Sequence, residues 1–170
     1  MRCGTHRGVN PALRRSWSAD LDTATLYALI ALRSEIFVVE QNCAYQDLDG
    51  ADLQHNTRHF WLEHDNAIQG TVRLVETDGA NGPEFHIGRL CVLSGARGQG
   101  HARRLVQAAL AEVGSAPCRL NAQTPLTDWY TRHGFVPDGA EFVEDGIAHT
   151  PMLRAGRLAG RARISTTIEV

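Results

Sequence analysis

The residues best suited to chemistry in this 170-residue chain form one short run, Arg97-Gly98-Gln99-Gly100-His101-Ala102. Glycines lack the Cβ that would keep a ligand off the backbone. A turn that opens a helix leaves the first N–H groups unpaired and aimed at one point, where the helix dipole favours negative charge. Arg97 and the Arg103-Arg104 pair add fixed positive charge. The chemistry this suits is the binding of a phosphate or pyrophosphate. A P-loop is excluded, because it needs Gly-Lys-Ser/Thr and the chain has no lysine. A dinucleotide fold needs Gly-x-Gly-x-x-Gly early in a βαβ unit, whereas Gly95, Gly98 and Gly100 are spaced otherwise and lie mid-chain.

Other reactive side chains are weaker candidates. His55, His59 and His64 stand four and five apart across a loop-to-strand boundary. They show no fixed third-ligand pattern, so satisfied or exposed histidines are expected rather than a metal site. Cys91 sits among apolar strand residues, where a thiol packs inertly. The acidic run Asp47-Leu48-Asp49-Gly50-Ala51-Asp52 reads equally as a surface for a cationic amine or as a solvated turn. Glu40 follows the apolar run Ile36-Phe37-Val38-Val39, where partial burial would raise its pKa. Glu141, Asp145 and His149 cluster later in the chain.

These residues need elements to position them. Before the glycine turn, Phe85 to Leu93 reads as a strand. After it, Ala102, Leu105, Val106, Ala109, Leu110 and Val113 recur at helical spacing. Leu26, Leu29, Ile30 and Phe37 fit one face of a long first helix capped by Asp22 or Thr23. His59 to Glu63 and Gly70 to Glu76 predict two strands joined at Asp65-Asn66, with Arg73 on the opposite face from Val72 and Leu74. A turn over residues 77–83, a strand from Arg119 to Ala122, and a helix starting at Thr124-Pro125 and ending at Gly134 follow. Phe135-Val136 and His149 to Leu153 supply two last short strands. The expected class is α/β in the broad sense (α+β).

Length and composition bound the rest. One domain with a single core is expected. Residues 1–16 read as an unpatterned, disordered extension, 17–154 as the folded domain and 155–170 as a tail. Within the tail, Ile164 to Ile168 has strand propensity that could add an edge or a homodimer contact. A net charge of −2 argues against a broad nucleic-acid footprint. The four scattered cysteines argue for reduced thiols. Neither a secretory signal nor a membrane span is visible, so cytoplasm is the default expectation.

The pattern Arg-x-x-Gly-x-Ala at 97–102 resembles the acyl-CoA pyrophosphate loop of the GNAT (GCN5-related) N-acetyltransferases. Leu120-Asn121-Ala122-Gln123 and Trp129-Tyr130-Thr131-Arg132-His133-Gly134-Phe135 resemble the family's strand leading to a helix with a tyrosine before Gly-Phe. Residues 37–41, 45–50 and 144–149 are similar to its ElaA-like branch. The resemblance spans about Trp17 to Arg154. It implies a mixed, mostly antiparallel sheet splayed at its centre, with helices on both faces. It also implies an N-acetyltransferase that moves acetyl from acetyl-CoA to a primary amine, a small molecule or a peptide, by direct attack in a ternary complex without a metal. Tyr130 would then protonate the leaving thiolate, and Glu40 is the candidate base. Backbone groups of Leu90, Cys91 and Val92 would meet the pantetheine, and Arg97, Gly98, Gln99, Gly100, His101, Ala102 and Arg103 the phosphates. Gln123 stands where many members carry a cofactor-binding asparagine. A non-catalytic CoA-binding regulatory module is the alternative, and a histidine-based metal hydrolase a weaker one.

Overall fold

Asp22 starts the first helix: its carboxylate accepts the Thr25 N–H at 2.8 Å and the Thr25 hydroxyl at 2.6 Å. Such a cap contributes about 1 kcal/mol. In the computed structural model, which describes residues 10–80 and 82–156, helix α1 (Thr23–Arg33) continues into a π-helical segment, Ser34–Glu40. The buried face is Leu29, Leu32, Arg33 and Ile36. Phe37 is only half-buried.

Eight strands form one sheet: β1 (Ala12–Trp17), β2 (Thr57–His64), β3 (Ala67–Gly79), β4 (Gly82–Val92), β5 (Cys118–Gln123), β6 (Val136–Pro137), β7 (Phe142–Glu144) and β8 (Ile147–Arg154). The order is β1-β2-β3-β4-β5-β8-β6, with β7 added beside β8. Every pairing is antiparallel except β4 with β5. Helix α2 (His101–Val113) buries Leu105, Val106, Ala109 and Val113 on Phe60, Leu62, Val72, Leu74 and Ile87, as its spacing predicts. At about 1.5–3 kcal/mol for each large apolar side chain buried, this is the main core. A smaller cluster on the other face joins Leu32 and Ile36 to Cys91.

Three expectations change. The stretch expected to be disordered up to Ser16 is strand β1 from Ala12 onward. Its first four residues are exposed, so no alternation marked them. Arg73 is buried along with Val72 and Leu74. The turn over residues 77–83 shortens, because β3 runs to Gly79 and β4 begins at Gly82. The stretch from Ile164 to Ile168 lies outside the described residues.

The parallel pair β4–β5 holds register only at Phe85↔Cys118 and His86↔Arg119. Beyond it the two strands part, and Ile87–Val92 and Leu120–Gln123 become the walls of a gap. β4 also kinks there. Thr71 pairs with Cys91 and Arg73 with Gly88, so Val72 alone faces both Arg89 and Leu90, and Arg89 takes φ +55°. This is a β-bulge.

Candidate active site

The glycine turn leads from the end of β4 into α2. Gly98 and Gly100 adopt φ of +75° and +79°, the left-handed region that glycine enters without steric penalty. A Cβ at either would meet no atom within 4 Å, so the backbone faces open space. Gly100 caps α2 without any side-chain hydrogen bond, and the first helical bond taken up is Arg104 N–H to Gly100 carbonyl at 3.0 Å. The amides of His101, Ala102 and Arg103 are therefore left to a ligand. His101 is buried, its Nδ1 has no partner, and burial, with Arg104 nearby, lowers its pKa. A neutral imidazole adds no charge at this helix start. Gln99 and Arg103 are exposed and Ala102 is half-buried, whereas Arg104 ties back to Asn10 and Pro11. These features suit the phosphates of an acyl-CoA.

Arg97 turns away from that space. Its Nε donates to the Val92 carbonyl at 3.0 Å, and its two terminal nitrogens lie 2.7 and 2.9 Å from the Glu40 carboxylate. Glu40 is thus neither buried nor raised in pKa. The hydrogen-bonded guanidinium of Arg97 holds its carboxyl below the usual glutamate range, which corrects the expectation that burial would make it basic. The adjacent residue, Gln41, accepts a hydrogen bond from Gln123 at 3.1 Å. The end of the π-helical segment therefore touches both walls, the cradle after β4 and the tip of β5. Nothing in the spacing of Gln41 marked it.

Where β4 no longer pairs with β5, Leu90 is half-buried, and Cys91 and Val92, still paired with β3, are buried. Burial pushes the Cys91 thiol up to about 12, so it is protonated and unreactive at neutral pH. Tyr130 lies in the short helix α3 (Thr127–Thr131), buried and edge-on to Trp129, with ring centroids 4.9 Å apart. Burial alone raises its phenol to about 12. Gly134, at φ +87°, ends the helix and turns the chain to buried Phe135. Leu126, expected on the same apolar face, is exposed. The helix also begins later than Thr124, which opens a separate 3-10 turn capped by Gln123. Glu141 accepts a hydrogen bond from Thr124, and His149 stacks on Phe142.

The acidic run is neither a free surface nor a solvated turn. Asp47 and Asp52 are buried, and both pair with the buried guanidinium of Arg33, at 2.8 and 2.6 Å. Arg73 pairs with Asp49 at 2.5 Å and Asp52 at 3.0 Å. Arg89 reaches Asp47 and Asp49, and the Tyr45 hydroxyl donates to Asp47 at 2.6 Å. Burial opposes ionisation of Asp49 and Asp52, but the arginines outweigh it and leave both well below the usual aspartate range. The three histidines lie apart. His59 is buried between the Asp52 carbonyl and the Ser18 hydroxyl, His55 is exposed, and His64 sits beside Asp65.

The fold thus contains a parallel pair that separates after two positions, a bulge on its first strand, a glycine turn without a side-chain cap and a buried tyrosine in α3. The family model for the acetyltransferase (GNAT) domain matches residues 31–155. The chain belongs to the GNAT family. It is similar to protein ElaA of Escherichia coli, 36% identical over 140 residues, covering 80% of this chain and 91% of that protein. A UPF0039 protein of Mycobacterium tuberculosis is 58% identical over 149 residues, covering 87% of this chain and 96% of its own. A crystal structure of an acyl-CoA N-acyltransferase from Pseudomonas aeruginosa superposes with a TM-score of 0.81 at 38% identity, covering 85% of this chain and 99% of that one. This GNAT protein is thus an acyl-CoA-dependent acyltransferase of the ElaA-like branch. No helix among the described residues is long and apolar enough to cross a membrane.

Proposed function

We propose that this GNAT protein is an N-acetyltransferase that moves acetyl from acetyl-CoA to a primary amine by direct attack in a ternary complex. The observation that carries the reading is the gap between β4 and β5 with the open glycine turn at its end; Tyr130, buried in α3, is assigned as proton donor on its place before Gly134-Phe135. The cradle amides and the α2 dipole hold the phosphates. The side of Leu90–Val92 that β5 does not pair with aligns the pantetheine as an added strand, and an N–H there stabilises charge on the thioester oxygen. The amine nitrogen bonds to the carbonyl carbon, the carbon–sulfur bond breaks, and Tyr130 gives its proton to the thiolate. The amine's proton leaves to water, and water returns one to the Tyr130 phenolate, which closes the cycle. No side chain is assigned as base, because Glu40 is ion-paired and Cys91 is protonated at neutral pH. The protein needs no membrane or nucleic acid for this chemistry, which suits a cytoplasmic enzyme.

The test is free-thiol release from acetyl-CoA across a panel of small amines and peptides, with Tyr130→Phe alongside. Loss of a positioned proton donor lowers turnover by about a hundredfold or more while acetyl-CoA binding persists. A wild type that binds acetyl-CoA yet turns over no amine would instead favour the non-catalytic CoA-binding module.

A further inference from the structure

The left-handed backbone at the β4 bulge is carried by Arg89, although Gly88 stands next to it in the chain. A non-glycine residue in that region persists only where its surroundings over-determine it. Here they do. The Arg89 Nη2 donates to the Asp47 carbonyl at 3.0 Å and to the Asp49 carboxylate at 3.1 Å. Its Nε lies 2.8 Å from an Asp47 oxygen, an ion-pair contact in which the N–H is not aimed at the acceptor. The two aspartates are rigid anchors without it. Asp47 is already held by Arg33 and Tyr45, and Asp49 by both terminal nitrogens of Arg73. What Arg89 adds is therefore a grip on β4 rather than on the loop. The register shift and the end of the β4–β5 ladder both fall within a few residues of it.

The geometry points to Arg89 as a positioning residue for acyl transfer, clamped by Asp47 and Asp49 so that the β4 kink holds the gap open. The clamp acts through the main chain of Leu90–Val92, which carries the thioester in the function proposed above, and the inference rests on that reading. Side-chain identity at position 89 thus sets backbone geometry three residues along. The same three contacts tie the acidic loop to the kink, so movement of one would displace the other.

Two readouts on Arg89→Gly test this. Glycine tolerates φ +55° but cannot hold the aspartates, so fold stability and positioning come apart. The expected result is a melting temperature within about 4 °C of wild type. Amide resonances of residues 87–92 and 120–122 shift, and acetyl-CoA affinity falls by about tenfold or more. Arg89→Lys, which keeps the charge but loses the fork, gives the same changes in smaller measure and serves if the glycine variant does not fold. Unmoved resonances in whichever variant folds overturn the proposal, as does unchanged affinity with a wild type that binds acetyl-CoA. A wild type that fails to bind acetyl-CoA overturns the acetyltransferase reading instead. The resonances alone then decide whether Arg89 holds the kink.

Discussion

Glu40 pairs with the arginine of the glycine turn, and under the proposed function that pairing would tune phosphate binding without touching the reaction. Its two oxygens fill the fork of Arg97, the only arginine in the glycine turn. A phosphate approaching Arg97 would meet a guanidinium already paired with a carboxylate. Glu40→Gln removes that charge and frees Arg97, so acetyl-CoA affinity is expected to rise. Exposed pairs of this kind contribute up to about 1 kcal/mol, which limits the gain to about fivefold. Isothermal titration at low and high salt measures it, and the gain shrinks with salt because both groups are substantially exposed. Weaker binding would show that Glu40 serves the cradle by fixing Arg97. The sequence placed Glu40 correctly at the end of the first helical stretch, but its partner is 57 residues away. No local pattern predicts whether a carboxylate will find an arginine or an apolar wall.

Among the elements, legibility followed period. Helix α2 and its cradle were readable because Leu105, Val106, Ala109 and Val113 repeat at helical spacing after paired glycines. Strand β1 was not, being mostly exposed, and neither was the kink at Arg89, which depends on a loop 40 residues distant. The loop over residues 45–52 misled most. Asp47 and Asp52 look solvated in isolation and are buried because Arg33 and Arg73 project from an apolar helix face and a central strand to pair with them, while Asp49 stays exposed and paired with Arg73. Breaking that set should therefore be costly. Arg33→Met takes away the buried partner that Asp47 and Asp52 share, leaving Asp52 to Arg73 and Asp47 to Arg89 and Tyr45, and a loss of about 3 kcal/mol in urea unfolding is expected. The pH dependence has a definite sign. Asp49 and Asp52 are depressed in the fold, so their contribution is complete above the unfolded aspartate range and lost as pH falls through their folded values. Wild type should hold its stability down to about pH 4. Arg33→Met should lose it at higher pH, and a parallel acid profile would mean that Arg33 is not what keeps Asp52 ionised.

At the scale of the whole molecule, the gap is a seam between two halves of the sheet. β1 to β4 lie on one side and β5, β8, β6 and β7 on the other, joined by two ladder positions and by α2. The Gln41–Gln123 bond is a further tie across it. A pantetheine arm hydrogen-bonded along β4 would fill the seam and bring both halves under one ligand, so cofactor binding should register as global stability. At a hundred times its dissociation constant, a ligand that binds only the folded state adds about 2.7 kcal/mol. For a chain of this size that raises the melting temperature by roughly 5–10 °C. Gly100→Glu is the control. It places a carboxylate where the cradle is open and forces a side chain onto a left-handed residue, so some intrinsic stability is lost and the acetyl-CoA increment should vanish. The increment, not the absolute midpoint, is the quantity to compare. If acetyl-CoA raises both proteins equally, the ligand sits elsewhere than the cradle. If it raises neither, the seam is not an acyl-CoA channel and the acetyltransferase proposal fails with it.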